Sequence, residues 1–300
     1  VGKRRRVGHF RSESARSRFL SVYRRAMAEL PPYSESLDVA TSFGTVRAYR
    51  FDGPSDGPPV VLLPGRNAST SMWRTNIPPL LARRTLIGLD LLGEAGMSVQ
   101  DKPIGDAAEE AQWLDETLAG LGLVRVHLLG VSIGGWTAAN AAIHKPARIA
   151  SVALLDPVMT FAPAPPKAVA ASLALFLPVP QPLRRRVLSW ISGGADADDS
   201  LPEAQLISAA AKSFVIDKAM PKVFTDDQLR SLQRPTLALI AVRSVMLDAA
   251  RALARARRLL PQGQVELWPD ASHAINGEYP DEIAARAHRF WDDVDMKVTT

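Results

Sequence analysis

The sequence predicts an α/β protein: a mostly parallel central sheet with helices on both faces and a helical lid inserted after the sixth strand. Three observations predict it. From residue 60 onward, short apolar runs alternate with helical stretches, the pattern of a parallel sheet whose crossovers cover both faces. The alternation breaks once, over residues 157–231, which hold many prolines, several apolar helical pieces and no clear strand. Between the apolar run Val124–Leu129 and a helix rich in small residues lies a glycine-flanked serine, Gly130-Val131-Ser132-Ile133-Gly134.

In chain order, Phe19, Tyr23, Met27 and Leu30 recur at three- and four-residue spacing, marking an amphipathic helix that Pro31 and Pro32 end. Leu37–Thr41 and Thr45–Phe51 read as an edge hairpin turning at Gly44, followed by a turn-rich segment around Gly53 to Pro59. The remaining strands are expected at Val60–Leu63, Leu86–Asp90, Val124–Leu129, Ile149–Leu155, Thr236–Val242 and Val265–Trp268. Asp106 to Leu121 has an N-cap aspartate, early glutamates and an apolar side formed by Trp113, Leu114, Leu118 and Leu121, as a covering helix should. The expected organisation is an N-terminal basic arm and helix over 1–36, a core domain over 37–156 and 232–300, and the lid over 157–231.

Composition narrows the function classes. With 47% hydrophobic and 22% charged residues, the 300-residue chain can bury a sizeable core. There is no cysteine, hence no disulfide framework, thiolate metal site or cysteine nucleophile, and a cytoplasmic home is expected. The net charge of +5 raises the question of nucleic acid. Its basic residues form only short runs, Lys3 to Arg6 and Arg184 to Arg186, without interleaved aromatics, so no nucleic-acid partner is expected. No apolar stretch follows the basic amino end, and the longest apolar run, Ala168 to Val179, is too short for a bilayer, which needs about 20 residues. That run reads as a buried or lid helix, and no membrane partner is expected.

The Ser132 segment carries the chemistry. G-x-S-x-G fixes only three letters, so its context decides. A serine on a tight strand-to-helix turn is forced into a strained conformation that flanking glycines tolerate, and its hydroxyl is pushed out above the sheet. The helix start behind it sets backbone N–H groups and a positive dipole end where an oxyanion would form. Among five histidines, His273 alone follows an apolar strand in a loop able to swing an imidazole over Ser132. His9 lies in the basic arm, His127 inside a strand, and His144 and His288 in helices.

These residues resemble the α/β-hydrolase superfamily, and within it bacterial serine carboxylesterases, from Leu37 to Trp291. The resemblance rests on four ordered segments: Ser132 in its elbow, Leu62 to Arg66 after the third strand, Leu89 to Ser98 after the fourth, and Asp270 to Ala274 after the last. It implies Ser132 as nucleophile, His273 as general base, and the N–H groups of Arg66 and Ile133 as the oxyanion hole. Pro64-Gly65 stands where the superfamily usually has His-Gly; the donor N–H of Arg66 survives the change. The Arg66 side chain is expected to be solvated, with contact to an anionic substrate group as the alternative.

The triad acid departs from the pattern. After Thr236–Val242, where the resemblance predicts Asp or Glu, stands Ser244, which carries no charge. Asp156, ending the sixth strand beside the elbow strand, is the favoured replacement, as in a few members of the superfamily. The alternative acid is Asp248, although its place before a strong helix former suits an N-cap; a dyad without any acid is the third possibility. Asp90 is expected to shape its loop, and Asp270 lies too close in sequence to His273 to orient it.

The expected function is therefore a serine hydrolase that cleaves a carboxylic ester, lactone or thioester of a largely apolar small molecule through an acyl-enzyme. Phe161, Phe176 and Phe214, with Leu173, Leu175 and Leu177, are the expected apolar walls. No metal and no organic cofactor is implied. Serine at the elbow argues against haloalkane and epoxide hydrolysis, for which relatives of this fold use aspartate. The alternative is a non-hydrolytic enzyme of the same fold, performing elimination, cyclisation or acyl transfer in a natural-product pathway; a degenerate binding protein comes third.

Overall fold

The computed structural model describes residues 7–54, 57–174, 186, 187, 190, 200–218 and 220–299. Its strands, in chain order, are β1 (His9–Phe10), β2 (Glu35–Thr41), β3 (Gly44–Phe51), β4 (Val60–Leu63), β5 (Leu86–Leu89), β6 (Val99–Gln100), β7 (Val126–Val131), β8 (Ile149–Leu155), β9 (Phe214–Val215), β10 (Thr236–Ala241) and β11 (Gly263–Trp268). Nine of them form the main sheet, in the order β11-β10-β8-β7-β4-β5-β3-β2, with β6 pairing β3 off that path. From β5 through β11 neighbours run parallel, while β3 runs antiparallel to β2, β5 and β6. The central strands β4, β7, β8 and β10 are buried along their whole length, which is why they read as continuous apolar runs.

Alternate residues of these strands serve two cores. Val61, Leu63, Leu128 and Val152 face one side with Trp113, Leu114 and Ile133; Val60, Leu62, Leu129 and Ala153 face the other with Trp73, Ile283 and Trp291. The expected covering helix is α3 (Ala107–Gly120), following α1 (Glu13–Ala28) and α2 (Ile77–Leu81) in the chain. Its N-cap, Asp106, accepts the N–H of Glu109 at 2.9 Å. The elbow helix α4 (Ile133–His144) packs against α3, β7 and β8.

Between β8 and β10 lie helices at Pro166–Ala174, Pro202–Ser213 and Asp226–Ser231. Among its described residues the stretch holds one short strand, β9, against the expectation of none, and β9 pairs with β1 of the N-terminal arm. The helix α1 in turn packs on the Pro202–Ser213 helix. The arm and the insertion are thus joined, with Phe10 edge-on to Phe214 at 5.0 Å and tilted against Phe19 at 5.2 Å.

Candidate active site

The elbow follows from three glycine and serine positions. Ser132 sits at φ 56°, ψ −118°, a strained conformation for a residue with a side chain. Its backbone is fixed on both sides: its N–H donates to the Leu155 carbonyl at 3.0 Å, and its carbonyl accepts from Gly135 and Trp136 at 3.1 and 3.2 Å. A Cβ on Gly130 would run into the Gly134 carbonyl, and one on Gly134 would run into the carbonyls of Leu63 and Pro64. Only glycine lets strand, helix and the loop after β4 approach so closely.

Above the elbow, His273 arrives on the loop after β11. That loop is tied down by Ser272, whose N–H and hydroxyl donate to the Glu278 carboxylate at 2.8 and 2.6 Å. The imidazole Nε2 lies 3.0 Å from Ser132 Oγ, and Nδ1 lies 2.6 Å from Asp156 Oδ2. Asp156 is wholly buried and turns the chain out of β8 at φ 41°. Its N–H donates to the Leu239 carbonyl at 2.8 Å, and its Oδ1 accepts the Ala241 N–H at 3.1 Å. One carboxylate oxygen is therefore spent on strand β10 and the other on His273. Because β7, β8 and β10 are adjacent and parallel, their carboxyl ends deliver serine, acid and acid anchor to one edge.

The alternative acid is not brought to this cluster. Asp248 caps the Ala249–Leu259 helix, its carboxylate accepting the Arg251 N–H at 3.0 Å. Ser244, at the customary acid position, uses its hydroxyl to accept the Met246 N–H at 3.2 Å and shapes a turn.

The loop after β4 presents the other side of the cleft. Gly65 N–H donates to the thioether of Met72 at 3.2 Å, Asn67 N–H to Glu94 at 3.2 Å, and Ala68 N–H to the Gly65 carbonyl at 3.2 Å. Between them, the Arg66 N–H has no hydrogen-bond acceptor among the described residues. The N–H of Ile133, first residue of α4, is likewise unused by the helix. The Arg66 side chain is not simply solvated: its Nε lies 3.9 Å from the buried Glu94 carboxylate, and one terminal nitrogen is buried without a hydrogen-bond partner.

Asp90 shapes its loop as expected. Buried, it accepts N–H groups of Thr70 and Met97 at 3.0 and 2.8 Å and the Tyr23 hydroxyl at 2.7 Å. Burial pushes its pKa up, against these hydrogen bonds. Burial also pushes up Tyr23 and Tyr49, the latter to about 12. The expected substrate walls fare differently. Phe161 is 1% exposed, and Phe214 is 7% exposed against Phe10 of the N-terminal arm; Phe176 lies outside the described residues. Met72, which accepts the Gly65 N–H, and Glu94, which accepts the Asn67 N–H, border the cleft and were not singled out in the sequence: Glu94 is one of several residues in the segment from Leu89 to Ser98, and Met72 sits in no motif of fixed spacing.

Among the described residues no group of three or more histidine, aspartate and glutamate side chains could hold a metal ion, and no helix is long and apolar enough to cross a membrane.

Comparison with known proteins meets this geometry. Over 280 residues the chain is 27% identical to the uncharacterized carboxylesterase nap of Bacillus subtilis (strain 168), covering 91% of this chain and 92% of that protein. It is 26% identical over 279 residues to carboxylesterase YbfK of the same organism, covering 91% and 93%. The crystal structure of naproxen esterase from Bacillus subtilis superposes with a TM-score of 0.86 at 26% identity, over 93% of this chain and 99% of that one. A family model described as alpha/beta hydrolase fold matches residues 58–280, from the strand that precedes the Arg66 loop to the helix that follows His273. With most of its length so matched, and with sheet order and elbow to correspond, this chain belongs to the α/β-hydrolase fold family.

Proposed function

We propose that this protein is a serine carboxylesterase working through an acyl-enzyme. The chain is an enzyme of the carboxylesterase-like hydrolase kind, and the observation that carries the finer reading is the continuous hydrogen-bonded path Asp156–His273–Ser132. Ser132 Oγ attacks the ester carbonyl carbon while His273 Nε2 takes its proton, and Asp156 holds the imidazole in the tautomer whose Nε2 accepts. The carbonyl oxygen, now anionic, is received by the free N–H groups of Arg66 and Ile133. Collapse expels the alkoxide, which takes the proton from His273; water, deprotonated by the same imidazole, then attacks the acyl-enzyme and releases the acid and Ser132.

An apolar small-molecule ester is part of this reading, supported by the apolar sequence of the insertion between β8 and β10 and by relatives whose names are those of carboxylesterases. A cytoplasmic location belongs to it too, supported by a chain without cysteine, which needs no oxidising compartment.

The test is labelling with a fluorophosphonate probe together with turnover of p-nitrophenyl esters of graded acyl length. Labelling at Ser132 and ester turnover are expected in the wild type, and Ser132→Ala is expected to abolish labelling and lower kcat by about 10⁵–10⁶. A labelled serine without ester turnover would point to elimination, cyclisation or acyl transfer; an unlabelled serine would overturn the reading.

A further inference from the structure

The Arg66 loop offers three successive N–H groups, and a cleft that stabilises an oxyanion needs the middle one aimed and free. Its neighbours are both captured by side chains: Gly65 by the Met72 sulfur at 3.2 Å, Asn67 by Glu94 at 3.2 Å. A thioether is a weak acceptor, rarely given a backbone N–H, so its use here is specific. Distance reinforces the point. A Cβ on Gly65 would lie 3.3 Å from Met72 Cε and 3.6 Å from Ser132 Cβ, so Met72 packs on the face of Gly65 that also meets the nucleophile.

Met72 is itself anchored to the rest of the site. It belongs to a single 3-10 turn, Thr70–Trp73, whose Thr70 N–H is held by Asp90 at 3.0 Å. The Met72 carbonyl accepts from Asn276 Nδ2 at 3.3 Å, and Asn276 lies three residues after His273. Asn76, just beyond the turn, donates back to the Asn276 carbonyl at 2.9 Å. One short turn therefore ties the oxyanion loop to the loop that carries the base.

We propose that Met72 is a positioning residue of the oxyanion hole: its thioether engages the Gly65 N–H, thereby holds the Arg66 N–H toward the reacting carbonyl, and couples that loop to the His273 loop. The proposal rests on the serine-esterase reading of the cleft. Positioning acts on the transition state, where the oxygen is anionic, and much less on the ground-state ester.

The experiment compares wild type with Met72→Leu, which keeps the volume and loses the acceptor, and with Met72→Gln, whose amide oxygen can accept the same N–H. Turnover of a p-nitrophenyl ester and the affinity for a trifluoromethyl ketone, which forms an oxyanionic adduct on Ser132, are both read. Met72→Leu is expected to lower kcat about tenfold, less than the 10²–10³ of losing a donor outright, with KM within about twofold and ketone affinity falling by the same factor. Met72→Gln is expected to restore most of both, and if Met72→Leu fails to fold, near-wild-type ketone affinity in Met72→Gln supports the proposal and a loss there overturns it. Wild-type kcat and ketone affinity in Met72→Leu, or equal losses with raised KM in both variants, would overturn the proposal while leaving the esterase reading intact. Absence of probe labelling in the wild type would remove both.

Discussion

Asp156 has to satisfy two donors at once. Its Oδ1 takes the Ala241 N–H and its Oδ2 faces the His273 ring, and no water reaches either. An asparagine there has one acceptor oxygen for two donors, so its NH₂ must confront either Ala241 N–H or His273 Nδ1. Keeping the strand contact forces the imidazole into the tautomer that cannot accept from Ser132. Asp156→Asn is therefore expected to cost about 10⁴ in kcat, as altering the orienting carboxylate does in known serine triads, and to slow fluorophosphonate labelling in parallel. Asp248→Ala provides the contrast. It removes a helix cap worth about 1 kcal/mol, read as a small fall in Tm, and leaves kcat at the wild-type value. If Asp248→Ala, and not Asp156→Asn, lost turnover, the assignment of the acid would be wrong.

At the scale of elements, the elbow works because α4 starts directly beneath the end of β4. Gly134 marks the closest approach, with the Leu63 and Pro64 carbonyls where its Cβ would be. Neither is the far end of a flexible side chain. Gly134→Ala must push the helix start away from the loop that carries Arg66, and is expected to cost about 3 kcal/mol, the upper end for overpacking, seen as a Tm lower by several degrees. Turnover should fall further than folding alone explains, because Ile133 and Arg66 separate; measuring kcat on the folded fraction below Tm checks this. These elements were legible in the sequence for physical reasons. A parallel strand buried on both faces leaves an apolar run, and a strand-to-helix turn this tight leaves glycines. The β1–β9 ladder left no such trace, since two residues carry no period and the partners lie about 200 residues apart in the chain. Asp156 could be found because it stands at a strand end beside the elbow strand. Met72 could not, because a thioether accepting one N–H has no spacing rule, and the hydrophobicity that marks Phe161 and Phe214 as buried does not by itself distinguish a substrate wall from a core.

Across the whole molecule, the end of the sheet opposite the cleft holds a second polar cluster that links β7 to the C-terminal helix. His127, fully buried on β7, bonds Ser151 Oγ at 2.8 Å through Nδ1 and lies 3.3 Å from Asp295 through Nε2. Arg84 and Arg125 reach the same carboxylate at 2.6 and 2.8 Å. Burial holds the His127 pKa below its ordinary value, and the two arginines add to this against the pull of Asp295. His288, on the same helix, is lowered for the same reason, with Arg83 and Arg84 adding and the Pro79 carbonyl and Asp292 opposing. A histidine whose folded pKa lies below the unfolded 6.5 binds its proton more readily in the unfolded chain. The stability it contributes is complete above about pH 6.5 and is lost as pH falls from there toward the folded pKa. Within that window each histidine removes about 1.4 kcal/mol per pH unit. Asp295 works in a different window: burial raises its pKa, but the His127 and Arg84 contacts lower it more, so its contribution is lost only below the ordinary carboxylate range. The protein is accordingly expected to lose stability as the pH falls below about 6.5. Urea midpoints of the wild type and His127→Asn measured across that range separate the contributions. A shallower slope in the variant assigns the loss to His127, whereas an unchanged slope would show that His127 titrates alike in the folded and unfolded chains and that His288 or another group carries the acid sensitivity.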